Sequence, residues 1–268
     1  MKDLETIVVE RKGCWLYVTL NRPVVRNAMN RKMVDELDQV FQEIEPDRSL
    51  RAVILRGTGG YFCAGGDIKD MSAARSARAD SDPFFELNRC FGRLITRVNH
   101  APQAVVAVLE GPVMGGGFGL ACVSDIALAH EDAVFGLPET GLGIPPAQIA
   151  PFVVQRIGLT QARRLAVLGA RFKGVEALRL GVVHEVFTGD DQLTEQLETL
   201  LGQIKRCAPH ANAVTKDLML SAQYEDLDSL LDRAARSFSE CIQGEEGREG
   251  AAAFMQKRKP SWAVEEGS

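Results

Sequence analysis

Two glycine-rich clusters hold the chemistry most legible in this chain: Cys63-Ala64-Gly65-Gly66-Asp67 and, further along, Gly115-Gly116-Gly117-Phe118-Gly119. Glycine lacks a Cβ, so its backbone N–H can approach a ligand closely. One amide from each cluster can grip a single carbonyl oxygen as it becomes an anion. Two such donors in a dry site are each worth ~3 kcal/mol of barrier, and forming an enolate from a thioester needs that device. The spacing alone has rivals. Glycines after a strand also make tight turns. A dinucleotide fingerprint would need a third glycine where Leu120 stands, and a phosphate loop would need a following Gly-Lys-Ser/Thr, which is absent.

Other reactive residue types are less organised. Cys14, Cys63, Cys90, Cys122, Cys207 and Cys241 form no Cys-x-x-Cys pair, and the four histidines are scattered, so no metal site is expected. Several of these cysteines sit in apolar runs and read as buried, reduced thiols. Glu139, after Pro138, reads by itself as a surface acid. The run Lys257-Arg258-Lys259 reads as a solvated helix end or as a contact for a ligand's phosphates.

The elements that must position these clusters follow from periodicity. Thr6 to Val9 and Trp15 to Leu20 read as strands joined through Lys12-Gly13. Asn30 can cap a helix whose apolar face is Met33, Leu37, Val40, Phe41 and Ile44. Ala52 to Leu55 is a buried strand. A second unit follows, with a helix near Phe84 to Val98 and the strand Ala104 to Leu109, which leads into the triplet glycines. Leu120-Ala121-Cys122 continues from them as a helix. Ile126 to Ala129 is a further strand, preceding Val134-Phe135. Ser72 to Pro83 is polar and alanine-rich and reads either as a surface loop or as a lid over the site. From about residue 190 the pattern turns helical: Leu193–Ile204, Ala211–Ser221, Leu227–Ile242 and Glu245–Met255.

A chain of 268 residues, 46% hydrophobic, can bury one large core with an appendage. A formal net charge of −5 argues against nucleic acid as the main partner. The start, Met1-Lys2-Asp3-Leu4-Glu5, has no apolar stretch of signal-peptide type, and no membrane span is visible, so a cytoplasmic location is expected.

The motifs together resemble the crotonase superfamily, the enoyl-CoA hydratases and isomerases. Asn21-Arg22-Pro23 with Arg26-Asn27-Ala28-Met29 is similar to that family's first CoA-contacting turn. Phe62 to Lys69 resembles its first oxyanion segment, and Gly115 to Gly119 with Ser124-Asp125-Ile126-Ala127 its second. Phe135-Gly136-Leu137-Pro138-Glu139 with Gly143-Ile144 resembles the catalytic glutamate segment. Ala251-Ala252-Ala253-Phe254 with Lys257-Arg258 resembles the C-terminal helix.

The resemblance implies an α/β fold, a β-spiral of strand-strand-helix turns over residues 1–200, with a helical oligomerisation region over 201–268. It implies a homo-oligomer, a trimer or a dimer of trimers. The apolar stripe Leu227, Leu230, Leu231, Ala234 and Phe238 is also too apolar for lone exposure. No prosthetic group is implied, because the substrate arrives as a coenzyme A thioester. The oxyanion donors would be the amides of Gly66 and Gly116, with Glu139 as acid–base group. CoA would meet Arg26, Ala28, Ala64, Gly66, Asp67, Ile68, Lys69 and Lys257, its 3′-phosphate taking a cation from Arg26, Lys69 or Lys257. Charge reversal at Lys257 should then weaken CoA binding.

Hydratases of this family usually carry two glutamates, and here the first is replaced by Gly119. One glutamate permits double-bond isomerisation, moving a proton from C4 to C2, or hydration by a single group. A glycine at 119 would make room for a branch on C3, so Gly119→Glu is expected to harm a branched substrate more than crotonyl-CoA. Within the family, Phe135 to Val154 is most similar to hydratases of 3-branched glutaconyl-CoA esters: isohexenylglutaconyl-CoA of acyclic terpene breakdown first, 3-methylglutaconyl-CoA of leucine breakdown next. The alternatives are a Δ3,Δ2-enoyl-CoA isomerase and a non-catalytic CoA-binding scaffold. Pro146-Ala147-Gln148 replaces the family's usual glycines and would shape the acyl pocket. The partner of a substrate carboxylate is unplaced, with Gln148, Arg75 and Arg78 as candidates.

Overall fold

A computed structural model describes residues 4–67 and 82–264. Strands β1 (Ile7–Lys12) and β2 (Trp15–Leu20) form an antiparallel hairpin with Lys12 opposite Trp15. On β2 the residues Leu16, Val18 and Leu20 are buried while their alternates are half-buried, the period of a sheet with one face on the core. Helix α1 (Arg31–Ile44) begins where the Asn30 side chain accepts the Met33 N–H at 3.0 Å. It buries Met33, Leu37, Val40, Phe41 and Ile44, the stripe read from the sequence.

Strands β3 (Ala52–Gly57) and β4 (Ala104–Leu109) are buried almost throughout, as parallel strands covered on both faces must be. Between them runs α2 (Pro83–Asn99), capped by Asp82, which accepts the Phe84 and Phe85 N–H groups. Next come β5 (Pro112–Met114), α3 (Gly116–Val123), β6 (Ile126–His130) and β7 (Val134–Gly136). A 3-10 turn, Pro138–Leu142, leads to α4 (Ala150–Leu168), whose two helical pieces meet at Gly158, φ +74°. Strand β8 (Arg171–Lys173), α5 (Gly174–Leu180) and β9 (Glu185–Phe187) complete the strand-bearing part. Four helices follow: α6 (Asp190–Arg206), α7 (Pro209–Ser221), α8 (Leu227–Gln243) and α9 (Glu245–Met255).

One sheet has the order β1-β2-β3-β4-β6-β9, parallel after the first hairpin, and a smaller sheet has the order β5-β7-β8. Successive turns of the chain thus give one strand to the large sheet and one to the small: β4 then β5, β6 then β7. The architecture is the expected α/β spiral of strand-strand-helix turns followed by helices. A first core lies between the large sheet, α1, α2 and α3; a second, smaller core lies where Leu193, Leu201 and Ile204 of α6 cover Ile54, Val106 and Leu128. The division expected at residues 200 and 201 therefore falls inside a helix that packs on the sheet.

Strands β5, β8 and β9 were not expected, because three residues are too short to show a period. Helix α4 was not expected either, since Leu159, Val167 and Leu168 lie exposed and blur its stripe. Most of the segment read as a loop or lid, Ser72 to Pro83, lies outside the described residues. Among the described residues no helix is long and apolar enough to cross a membrane.

Candidate active site

The two glycine clusters meet because backbone hydrogen bonds join them. The Cys63 N–H donates to Pro112 O at 2.9 Å and the Met114 N–H to Cys63 O at 3.0 Å, so the first cluster runs parallel to β5. On its other side, Met29 N–H donates to Gly65 O and Asp67 N–H donates to Met29 O. Successive peptide groups of an extended segment point opposite ways. The Gly66 amide therefore faces away from Met29, onto a cleft that Gly66 lines.

Gly115 has φ +50° and ψ −117°, a conformation that a Cβ forbids, and its N–H donates to Gly136 O at 3.1 Å. The chain then enters α3, with Gly116 at the first helical position. That amide has no intrahelical acceptor and sits at the positive end of the helix dipole. Among the described residues neither the Gly66 nor the Gly116 amide has a backbone acceptor.

Strand β7, tied to Gly115, leads straight into Pro138-Glu139. Glu139 is half-buried. Its Oε2 is shielded from solvent and has no hydrogen-bond partner among the described residues. Its Oε1 lies 2.8 Å from where a Cβ on Gly115 would stand, so the missing side chain leaves space that the carboxylate uses. Burial pushes the Glu139 carboxyl above its ordinary value of 4.5, because the loss of water outweighs a hydrogen bond from its own backbone N–H. A poorly solvated, unpaired carboxylate beside two free amides can accept and return a proton next to a carbonyl whose oxygen those amides hold.

The cleft has a volume of about 730 Å³. Phe84, Leu87 and Phe91 of α2 line it at the spacing of a helix face, and Leu142, Ile144 and Ile149 line it as well. Phe91 reaches the floor, 3.2 Å from where a Cβ on Gly116 would stand. Gly119 does not open onto this space. A Cβ there would overlap Ile149 Cγ2 and lie 2.9 Å from Ile95 Cδ1. The expectation that Gly119 leaves a vacancy for a substrate branch is corrected: Ile149 fills it, and an apolar wall stands where the family's other carboxylate would be.

The expected CoA contacts are distributed unevenly. Arg26, in left-handed conformation, accepts the Ala64 N–H on its carbonyl at 3.0 Å and lays its guanidinium over the Tyr61 ring, 5.9 Å from the centroid. Ala28 accepts from Arg22 Nη1. Asp67 lines the cleft, but its carboxylate is paired with Arg22 Nη2 at 2.9 Å, so it clamps the turn rather than offering a free charge. Lys257 is exposed beyond α9 and is not among the residues that line the cleft. Ile68, Lys69, Arg75 and Arg78 lie outside the described residues. Gln148 does line the cleft.

Sequence reading missed Ile149, which looks like any core residue, and the roles of Arg22 and Asn27. Asn27 is fully buried. Its Oδ1 accepts the Arg22 N–H at 2.8 Å, and its Nδ2 donates to Thr58 O at 3.0 Å and Tyr61 O at 2.6 Å. The available signal was the residue type, an asparagine inside a motif, since asparagine takes the left-handed conformation seen here more readily than most residues. The thiol of Cys63, at the heart of the first cluster, is pushed by burial to about 11, which makes it inert.

The enoyl-CoA hydratase/isomerase family profile matches residues 10–265. The chain belongs to that family. It is 32% identical to the short-chain-enoyl-CoA hydratase of Clostridium acetobutylicum over 263 residues, 96% of this chain and 97% of the relative. Among solved structures, it is 58% identical to Pseudomonas aeruginosa AtuE, with a TM-score of 0.95 and coverage of 97% of this chain and 100% of the other. An enoyl-CoA hydratase/isomerase from Marinobacter aquaeolei is 56% identical, with a TM-score of 0.94 and coverage of 97% and 99%. The protein is thus an enzyme of the enoyl-CoA hydratase type, and its family's substrates are CoA thioesters.

Proposed function

We propose that this enzyme adds water across the 2,3 double bond of a 3-branched glutaconyl-CoA thioester, with Glu139 as its acid–base group and the amides of Gly66 and Gly116 as oxyanion donors. The observation that carries this reading is the lone, half-buried carboxylate of Glu139 facing a cleft whose opposite position is closed by Ile149. Glu139 takes a proton from water as the hydroxide oxygen bonds to C3. The C2–C3 π pair shifts to form the C1–C2 double bond, and the carbonyl π pair moves onto the thioester oxygen, held as an enolate by the two amides. The enolate then collapses as C2 takes the proton back from Glu139, which regenerates the carboxylate.

The acyl group named by the motif similarity over Phe135 to Val154 is isohexenylglutaconyl, with 3-methylglutaconyl next. A cleft of about 730 Å³ with aromatic and aliphatic walls supports an acyl chain longer than crotonyl. The CoA moiety would run past Arg26, Ala28, Ala64 and Asp67. The same single carboxylate also supports a second reading, a Δ3,Δ2-isomerase. A panel of 3-branched glutaconyl-CoA esters against crotonyl-CoA tests both. Absorbance of the conjugated thioester should fall with the branched esters. A rise from a 3-enoyl-CoA, with no fall from any conjugated ester, would replace hydration by isomerisation.

A further inference from the structure

Among the polar side chains that line the cleft, Asn88 and Gln148 are joined to each other and to Arg89. Arg89 Nη1 donates to Gln148 Oε1 at 2.8 Å, and Gln148 Nε2 donates to Asn88 Oδ1 at 2.8 Å. Arginine has donors only. It therefore fixes which end of each amide faces which way: the Gln148 oxygen toward Arg89, the Asn88 oxygen toward Gln148, and the Asn88 NH2 away from that chain. Gln148 and Asn88 line the cleft, and Arg89 stands directly behind Gln148. The arrangement depends on Gly92, where a Cβ would overlap Gln148 Oε1 and lie 3.0 Å from Arg89 Nη1.

Of the described acids that line the cleft besides Glu139, both are engaged. Asp82 caps α2 and Asp67 is paired with Arg22. Arg89 has no carboxylate partner among the described residues, and it donates to a neutral amide. No lysine or arginine among the described residues lines the cleft itself, so Arg89 supplies the positive field there. Asn88 precedes Phe91 by three residues, about one helical turn or ~5 Å. Phe91 Cζ lies 3.2 Å from where a Cβ on Gly116 would stand. Asn88 thus stands about one helical turn from the ring that packs beside Gly116, in the same cleft, a separation comparable to an acyl chain that ends four bonds beyond its carbonyl carbon.

We propose that Arg89, Gln148 and Asn88 form a subsite for a terminal carboxylate, so that the enzyme selects dicarboxylic enoyl-CoA thioesters. The two amides donate to the carboxylate oxygens and the guanidinium behind Gln148 balances their charge. This rests on the reading of the cleft as the acyl site. It also identifies a partner for the substrate carboxylate that the residue pattern left unplaced.

Two matched substrate pairs test it: glutaconyl-CoA against crotonyl-CoA, and 3-methylglutaconyl-CoA against 3-methylcrotonyl-CoA. The members of each pair differ only in the terminal carboxylate. In Gln148→Glu, which keeps the shape but adds a negative charge, and in Arg89→Gln, the kcat/KM ratio of dicarboxylic to neutral member should fall ~10- to 100-fold, the weight of charge-assisted hydrogen bonds. Most of the loss should lie in KM. Binding of glutaryl-CoA against butyryl-CoA, measured by calorimetry, should shift in the same direction and does not depend on turnover. Hydration of the straight pair alone, with a shifted ratio, would remove the branched-substrate reading and leave the subsite. Ratios and relative affinities that stay at the parent values in both variants would overturn the subsite, whichever pair is hydrated.

Discussion

At the residue scale the site turns on Glu139 and on what stands opposite it. Burial makes its ionised form costly, so its pKa lies above the ordinary value of 4.5. The carboxylate must start ionised to take a proton from water. The kcat/KM profile should therefore fall on its acid side with an apparent pKa above 4.5. The sign for stability is the reverse of a paired acid. Because the folded state holds the proton more tightly, stability decreases as pH rises from the unfolded pKa through the folded one. Glu139→Gln should thus unfold at the parent's temperature or higher at pH 7, while turnover drops ~10²-fold or more. Near-parent turnover in this variant would assign the proton transfers elsewhere.

Gly119 gives a second prediction at this scale. Its neighbour Ile149 occupies the volume a side chain would take. Gly119→Glu is expected to overpack, at a cost of ~1–3 kcal/mol, and to lower activity on branched and unbranched substrates alike. Adding Ile149→Ala should restore folding and widen the cleft. A single Gly119→Glu variant with parent stability and an altered ratio of branched to crotonyl turnover would show that Ile149 does not close this position.

At the element scale the oxyanion segment is held by a turn, not by a helix or long strand. Arg22 bridges the Ala28 carbonyl and the Asp67 carboxylate, and Asp67 follows Gly66 directly. Asn27 staples the same turn to the end of β3 through Thr58 and Tyr61. Arg22→Met removes one partner of a carboxylate whose side chain is 9% exposed. The expected cost is ~1.5–3 kcal/mol, the scale of hydrogen bonds to charged groups. Because the Gly66 amide should move with Asp67, kcat should fall more than CoA affinity. Urea unfolding and the split between kcat and KM would read both effects; a parent kcat in a destabilised variant would mean the amide is positioned by β5 alone.

At the scale of the whole molecule, the C-terminal helices leave apolar surface uncovered. On α8, Leu230 is buried, but Leu227, Leu231 and Phe238 are 65%, 56% and 71% exposed. Ile242 and, on α9, Phe254 and Met255 are exposed as well. Large apolar side chains left in water in this number favour association, which supports the expectation of a homo-oligomer. Leu231→Glu with Phe238→Glu should lower the mass seen in light scattering. An unchanged mass, or a parent that is monomeric at micromolar concentration, would place the contact elsewhere or remove it.

Sequence alone determined the frame of this protein. The capped stripe of α1 and the buried runs of β3 and β4 are local patterns, set by the period of each element. The glycine clusters and Glu139 lie in ordered motifs, so the family was legible, and candidate site residues could be named, before any contact was known. Tertiary structure decided the rest. Whether Gly119 opened a space depended on Ile149, thirty positions later in the chain and indistinguishable in sequence from a core residue. Whether Asp67 offered a charge depended on Arg22, and whether Gln148 was an isolated amide or part of a charged group depended on Arg89 and on the missing Cβ of Gly92. The reason is common to all three. Periodicity reports which face of an element is apolar, but the environment of a single polar or absent side chain is made by residues that only the folded chain brings near.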